Sequence, residues 1–211
     1  MRKWNIGLAV VPRVAVLTLI LTFGSGATAF AHHPMGGRTP ETFLQGLLSG
    51  FGHPIIGIDH FAFIVAMGVA VGMAGLNLAI PALFIAASAL GVMLHVSGVG
   101  LPIVELVVAI SVLAIGAAIA WGRPVPTSVW GVLFAIAGLF HGYAFGESIF
   151  GAESTPLAAY LLGLAIVQAA LATGVALIAR RSGAGSIQAR LAGATIAGIG
   201  VAILTGQVIA A

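Results

Sequence analysis

His53-Pro54-Ile55-Ile56-Gly57-Ile58-Asp59-His60 opens an apolar run that continues without a charge to Ala74. A helix rises about 1.5 Å per residue, so a run of about 20 residues matches the hydrocarbon thickness of a bilayer, about 30 Å. The stretch therefore reads as the head of a membrane-spanning helix. Its two imidazoles and one carboxylate sit where ionisable groups are costly and mark function. A second stretch of this kind, Phe140-His141-Gly142-Tyr143-Ala144-Phe145-Gly146-Glu147, closes another apolar run later in the chain.

The rest of the sequence agrees with a bilayer as solvent. Of 211 residues, 60% are hydrophobic and only 6% charged, a balance that a water-soluble globule has too little polar surface to sustain. The predicted fold is all-α and polytopic, with six transmembrane helices: Pro54 to Ala74, Leu78 to Ser97, Leu101 to Trp121, Ser128 to Glu147, Thr155 to Ala179 and Ile187 to Ile209. Pro81 belongs in the first turn of the second, where its missing N–H costs little. Six spans permit an inverted 3+3 repeat, a common transporter plan. Thirty glycines let helices approach closely, and only those inside the two motifs are assigned a functional place.

Ahead of the spans, Arg2, Lys3 and Arg13 precede the apolar run Val14 to Phe23 and the small-x-small site Ala29-Phe30-Ala31, the order of a cleavable signal peptide over residues 1–31. Residues 32–52 then form an exoplasmic segment in which Thr39-Pro40-Glu41 caps a short surface helix through Leu48. Ser49-Gly50-Phe51-Gly52 breaks that helix before the transmembrane domain, 53–211. Removing three of the eight basic residues leaves five against five acids, so a nucleic-acid partner has no support. Export of the N-terminus places both mature termini on the exoplasmic side of the cytoplasmic (inner) membrane. Arg123, Arg180, Arg181 and Arg190 then fall inside and Arg38 alone outside, in accord with the positive-inside rule.

With no cysteine in the chain, imidazole and carboxylate are the donors left for a metal, a set suited to nickel, cobalt, zinc or copper(II). His53 and His60, seven apart, share one face of a helix, with His60 about 10 Å deeper. His141 lies at a similar depth, and His95, Glu105 and Glu147 belong to the same outer half. The candidate ligands are thus His53, Asp59, His60, Glu105, His141, Glu147 and His95, joined by His32 and His33 if cleavage leaves them at a new terminus. Met67, Met73 and Met93 read as packing. Tyr143, Gln168 and Gln207 are polar groups without an assigned role. The chemistry expected is divalent-ion transport, with no catalytic residue and no cofactor. Its rivals are an intramembrane zinc hydrolase and a metal-binding accessory or sensor protein.

The two motifs and Glu105 together resemble the HupE/UreJ family of nickel and cobalt permeases, and the likeness extends over the mature chain. That resemblance implies nickel uptake, with cobalt as the other ion, in support of hydrogenase or urease. It implies a secondary transporter with no ATPase subunit. It carries over His53, Asp59, His60, Glu105, His141 and Glu147 as the residues that handle the ion; His95, His32 and His33 are additions from the reading of this sequence.

Overall fold

The computed structural model describes residues 38–181 and 186–210. The signal peptide, its cleavage after Ala31 and the pair His32 and His33 fall outside them. Seven α-helices make up the described chain, with no strand among the described residues: α1 Phe43–Ile56, α2 Ile58–Met73, α3 Pro81–Val96, α4 Val104–Trp121, α5 Thr127–Phe145, α6 Ser154–Arg180 and α7 Ile187–Ala210. A 3-10 turn, Gly146–Ile149, continues α5.

Four helices are long and apolar enough to cross a membrane: α4, α5 with its 3-10 turn, α6 and α7. The bent pair α1 and α2 counts as a fifth, with 79° between its halves. α3 has 16 residues, about 24 Å of rise, so the predicted second span is short. Pro81 does open it, as the sequence predicts, and Gly98 at φ +76° lies just beyond its end.

The amino-terminal helix departs from its predicted bounds. It is capped by Thr42, three residues later than expected, in a reciprocal capping box with Gln45; Gln45 Oε1 accepts from the Glu41 N–H at 2.8 Å and the Thr42 N–H at 3.3 Å. The T-x-x-Q signal is the stronger one because it satisfies orphan donors at both ends of the box. The helix then runs through the expected break and ends only at Ile56. Gly46 and Gly50 do not interrupt it, because both are interface residues: a Cβ on either would collide with the Pro156 or Tyr160 carbonyl of α6. α1 buries Gly46, Ser49, Gly50, His53 and Pro54 against α6 and exposes Phe43, Leu44, Leu48, Ile55 and Ile56.

Long-range hydrogen bonds fix which helix ends meet. Arg180 Nη2 donates to Leu76 O at 2.7 Å, between α2 and α3, and Arg190 Nε donates to Ala120 O at 3.0 Å near the end of α4. At the opposite end Gln207 Nε2 donates to Glu105 O at 3.0 Å. The bundle thus has an arginine end and an end that carries His95, Glu105 and Glu147. Small residues set the helix spacing. α4 and α7 pack through Gly116, Gly193 and Gly200, and α3 and α5 through Gly91, Gly138 and Gly142, each lying against the partner's backbone. Phe63, Phe84, Phe134 and Trp130 fill the centre together with Met67 and Met73, which pack as expected, while Met93 is exposed.

Candidate metal centre

Gly57 joins α1 to α2 with ψ 108°, outside the helical range, and this break sets where the histidines go. A Cβ there would stand 2.7 Å from His60 Cδ2 and 3.1 Å from Asp59 Oδ1, so the absent side chain leaves room for the His60 ring to fold back over the junction. His53 and His60 therefore do not share one straight helix face, as the sequence spacing predicts. They lie on the two limbs of a bend, and their ring centroids approach to 5.8 Å edge to face, closer than the helical rise predicts.

Hydroxyls from other segments hold the His53 and His141 rings. His53, 3% exposed, places Nδ1 2.8 Å from Tyr160 Oη and 2.8 Å from Ser148 Oγ. The Tyr160 hydroxyl donates its proton to Phe145 O at 2.7 Å, so it meets His53 as an acceptor. A neutral imidazole carries one N–H, placed by its partners. In the neutral ring these partners place the His53 proton on Nδ1.

The same accounting works at His141, which has no solvent exposure. Ser111 donates to Val108 O at 2.7 Å and meets His141 Nε2 at 2.9 Å. Its oxygen accepts from Nε2–H, leaving the lone pair of His141 on Nδ1. That atom faces His60 Nδ1 at 2.7 Å, and His60 is the donor of that bond. Asp59 lies beside the pair, its Oδ1 accepting the His60 backbone N–H at 2.8 Å and standing 3.9 Å from His60 Nε2. Phe63 at 4.8 Å and Phe145 at 4.3 Å, centroid to centroid, cover the His141 and His60 rings. Burial against aromatic rings keeps both imidazoles out of bulk water.

The other expected ligands form a separate group. His95, Glu105 and Glu147 line an open cleft of about 540 Å³ with Tyr143 and Gln207. Both carboxylates are exposed, and the His95 ring packs 4.6 Å from Tyr143 and 5.7 Å from Phe150. Gly146, the last glycine of the second motif, makes room for it, since a Cβ there would stand 2.5 Å from His95 Cβ. The donors expected together in the outer half thus divide into a buried imidazole cluster and a cleft that holds the two carboxylates. Among the described residues no group of three His, Asp or Glu side chains is arranged to hold an ion. What the fold supplies is a facing pair with Asp59 and His53 beside it.

Sequence reading missed Ser111, Ser148 and Tyr160, which orient the rings. Ser111 had a signal: apart from Glu105 it is the one hydroxyl, amide or charged side chain in α4. Partners that fix the orientation of a ligating histidine are worth about 10 to 100-fold in metal affinity. If His141 ligates a metal, Ser111→Ala is expected to weaken divalent-metal binding by about that factor, read by nickel titration of the purified protein, while Ser111→Thr, which keeps the hydroxyl, retains binding.

One protein family and one of its known members resemble this chain. The profile of the HupE / UreJ protein family matches residues 19–203. Protein HupE of Rhizobium leguminosarum bv. viciae is 33% identical over 165 residues, which cover 77% of this chain and 86% of the relative. No solved structure matches.

Proposed function

Because this chain belongs to the HupE/UreJ family, we propose that it is a permease for uptake of divalent nickel, with cobalt as a second ion, across the cytoplasmic membrane. The observation that carries this reading is the His60–His141 pair, two ring nitrogens from separate helices 2.7 Å apart in a buried setting. Ligand bonds of about 2.0–2.1 Å at a right angle put adjacent nitrogens about 3 Å apart, so a slight opening, with the His60 proton transferred from Nδ1 to Nε2 on the side of Asp59, turns the hydrogen-bonded pair into two adjacent ligands. Asp59 supplies negative charge beside it, and His53 stands ready as a further donor. Glu105, Glu147 and His95 draw a hydrated cation into the cleft, while His32 and His33 serve as surface capture ligands.

The broken helix supports the reading. Transporters place ion sites where a span is interrupted, since the break frees backbone groups in the middle of the bilayer. In the six-span reading α1 and α2 share the first span, α3 is a short second, and both mature termini face the exoplasmic side. Part of the helix pairing is consistent with an inverted repeat: exchanging α2 with α5, α3 with α6 and α4 with α7 turns the α3–α5 contact into the α2–α6 contact and maps α4–α7 onto itself, while the α2–α4 contact has no comparable α5–α7 counterpart. A membrane potential provides about 4.6 kcal/mol per 100 mV for two charges, so uptake needs no nucleotide hydrolysis. Affinity alone does not select nickel, because copper(II) binds such donors more tightly; selection rests on geometry and on the ions the cell presents.

Purified protein in sealed liposomes tests this. Radiolabelled nickel should accumulate inside when the interior is negative, and cobalt should compete. Saturable binding without accumulation would make the protein a sensor or accessory, and turnover of a lipid or peptide would make it a hydrolase.

A further inference from the structure

Gln168 lies on α6 two turns beyond Tyr160, on the same buried face, and both are essentially without exposure. Its Nε2 donates to Ser88 Oγ of α3 at 3.2 Å, and Ser88 is likewise 1% exposed. The other end of the amide, Oε1, is buried with no hydrogen-bond partner. Turning the amide over does not change the count, since Gln168 offers two polar ends and Ser88 meets one. A buried polar atom left unpaired costs about 1–3 kcal/mol. A leucine or methionine would fill the same space without that cost, so packing gives no reason for the amide.

The location supplies one. Ser88 packs against Gly142, the residue after His141, with a Cβ on Gly142 reaching 2.5 Å from Ser88 Cα. Phe84, one turn away on α3, lies 5.8 Å from the His141 ring, centroid to centroid. Ser111 approaches His141 from α4, whereas Ser88 of α3 lies against the next residue, Gly142, and ties it to Gln168 of α6. The cleft of Glu105 and Glu147 is lined by neither.

The geometry points to Gln168 and Ser88 as a second, uncharged ion station, where an amide and a hydroxyl receive a partly hydrated divalent cation as it leaves the imidazole pair. The inference rests on the permease reading above. Neutral oxygen donors hold a transition-metal ion more weakly than imidazole does, and conduction needs a site from which the ion can depart. The station has one hydrogen bond of its own and a spare polar end for the ion or its water. An interhelical tie is the competing role for the pair, and such ties average about 0.6 kcal/mol in membranes.

Three measurements on wild type, Gln168→Leu and Gln168→Asn separate the roles: equilibrium nickel binding in detergent, thermal stability, and nickel uptake into liposomes. The station requires that Gln168→Leu lower the uptake rate at least tenfold with nickel affinity at the wild-type level and thermal stability at or above it, and that Gln168→Asn restore part of the rate. Uptake by Gln168→Leu at the wild-type rate overturns the station and leaves the permease standing. Lost stability, with uptake per folded molecule unchanged, makes the pair a tie and also overturns it. Failure of wild type to accumulate nickel removes the permease reading, and the station falls with it.

Discussion

His60→Ala and His141→Ala are each expected to reduce nickel uptake to below about one tenth of wild type, and combining them to cost little more than either alone. The size follows from chemistry: residues that merely orient a ligating histidine are worth about 10 to 100-fold in metal affinity, so removal of a ligand costs at least that. The lack of additivity follows from contact, because the two Nδ1 atoms share one hydrogen bond and side chains in one network act as a unit. Alanine at position 60 also leaves His141 Nδ1 buried without its donor, a penalty of about 1–3 kcal/mol, so part of the loss could come from misfolding. His60→Gln separates the two effects: an amide N–H can still donate towards His141, while an amide is a poor substitute for imidazole as a ligand. The expected result is a folded Gln variant, judged by thermal stability in detergent, with uptake and nickel binding both lost. Wild-type uptake by that variant would end the case for the pair.

Much of the site was legible because intramembrane charge is rare. Six per cent charged residues over the chain make each imidazole and carboxylate inside an apolar run conspicuous, and the two motifs hold His53, His60 and His141, whose rings the fold does bring together. What the spacing could not supply was the bend. A helical count from His53 to His60 assumes one axis, and Gly57 replaces it with two. Pro54, read as the start of a span, sits inside α1, because the packing of Gly46 and Gly50 on α6 carries that helix past it. Helical rise alone puts Glu105 and Glu147 in the same outer half as the histidines. Rise fixes depth and says nothing of azimuth, and both side chains line the cleft instead. Hydroxyl partners were the least visible class, since a serine in a membrane helix carries no charge to draw notice and can satisfy itself on a carbonyl one turn back.

Glycine presents the opposite difficulty, with thirty in the sequence and no local mark to tell an interface from a surface. Gly142→Ala and Gly174→Ala should therefore diverge sharply. At Gly142 the new methyl would overlap the Ser88 carbonyl and lie 2.5 Å from Ser88 Cα. Backbone cannot swing aside as a side chain can, so α3 and α5 must separate. Overpacking of this kind costs about 1–3 kcal/mol and occasionally more, and the following valine and leucine variants should fail to assemble. The displacement acts on His141, whose backbone is next in sequence and whose ring must stay within reach of His60 and Ser111, and it also moves Ser88 relative to Gln168. Nickel binding should thus fall together with thermal stability. Gly174, on α6, has nothing within 4 Å of an added Cβ, and alanine there should leave uptake unchanged and stabilise the helix by up to about 1 kcal/mol. Equal behaviour of the two variants would mean that the α3–α5 contact is looser than its backbone spacing implies, and the positioning of His141 would then need another source.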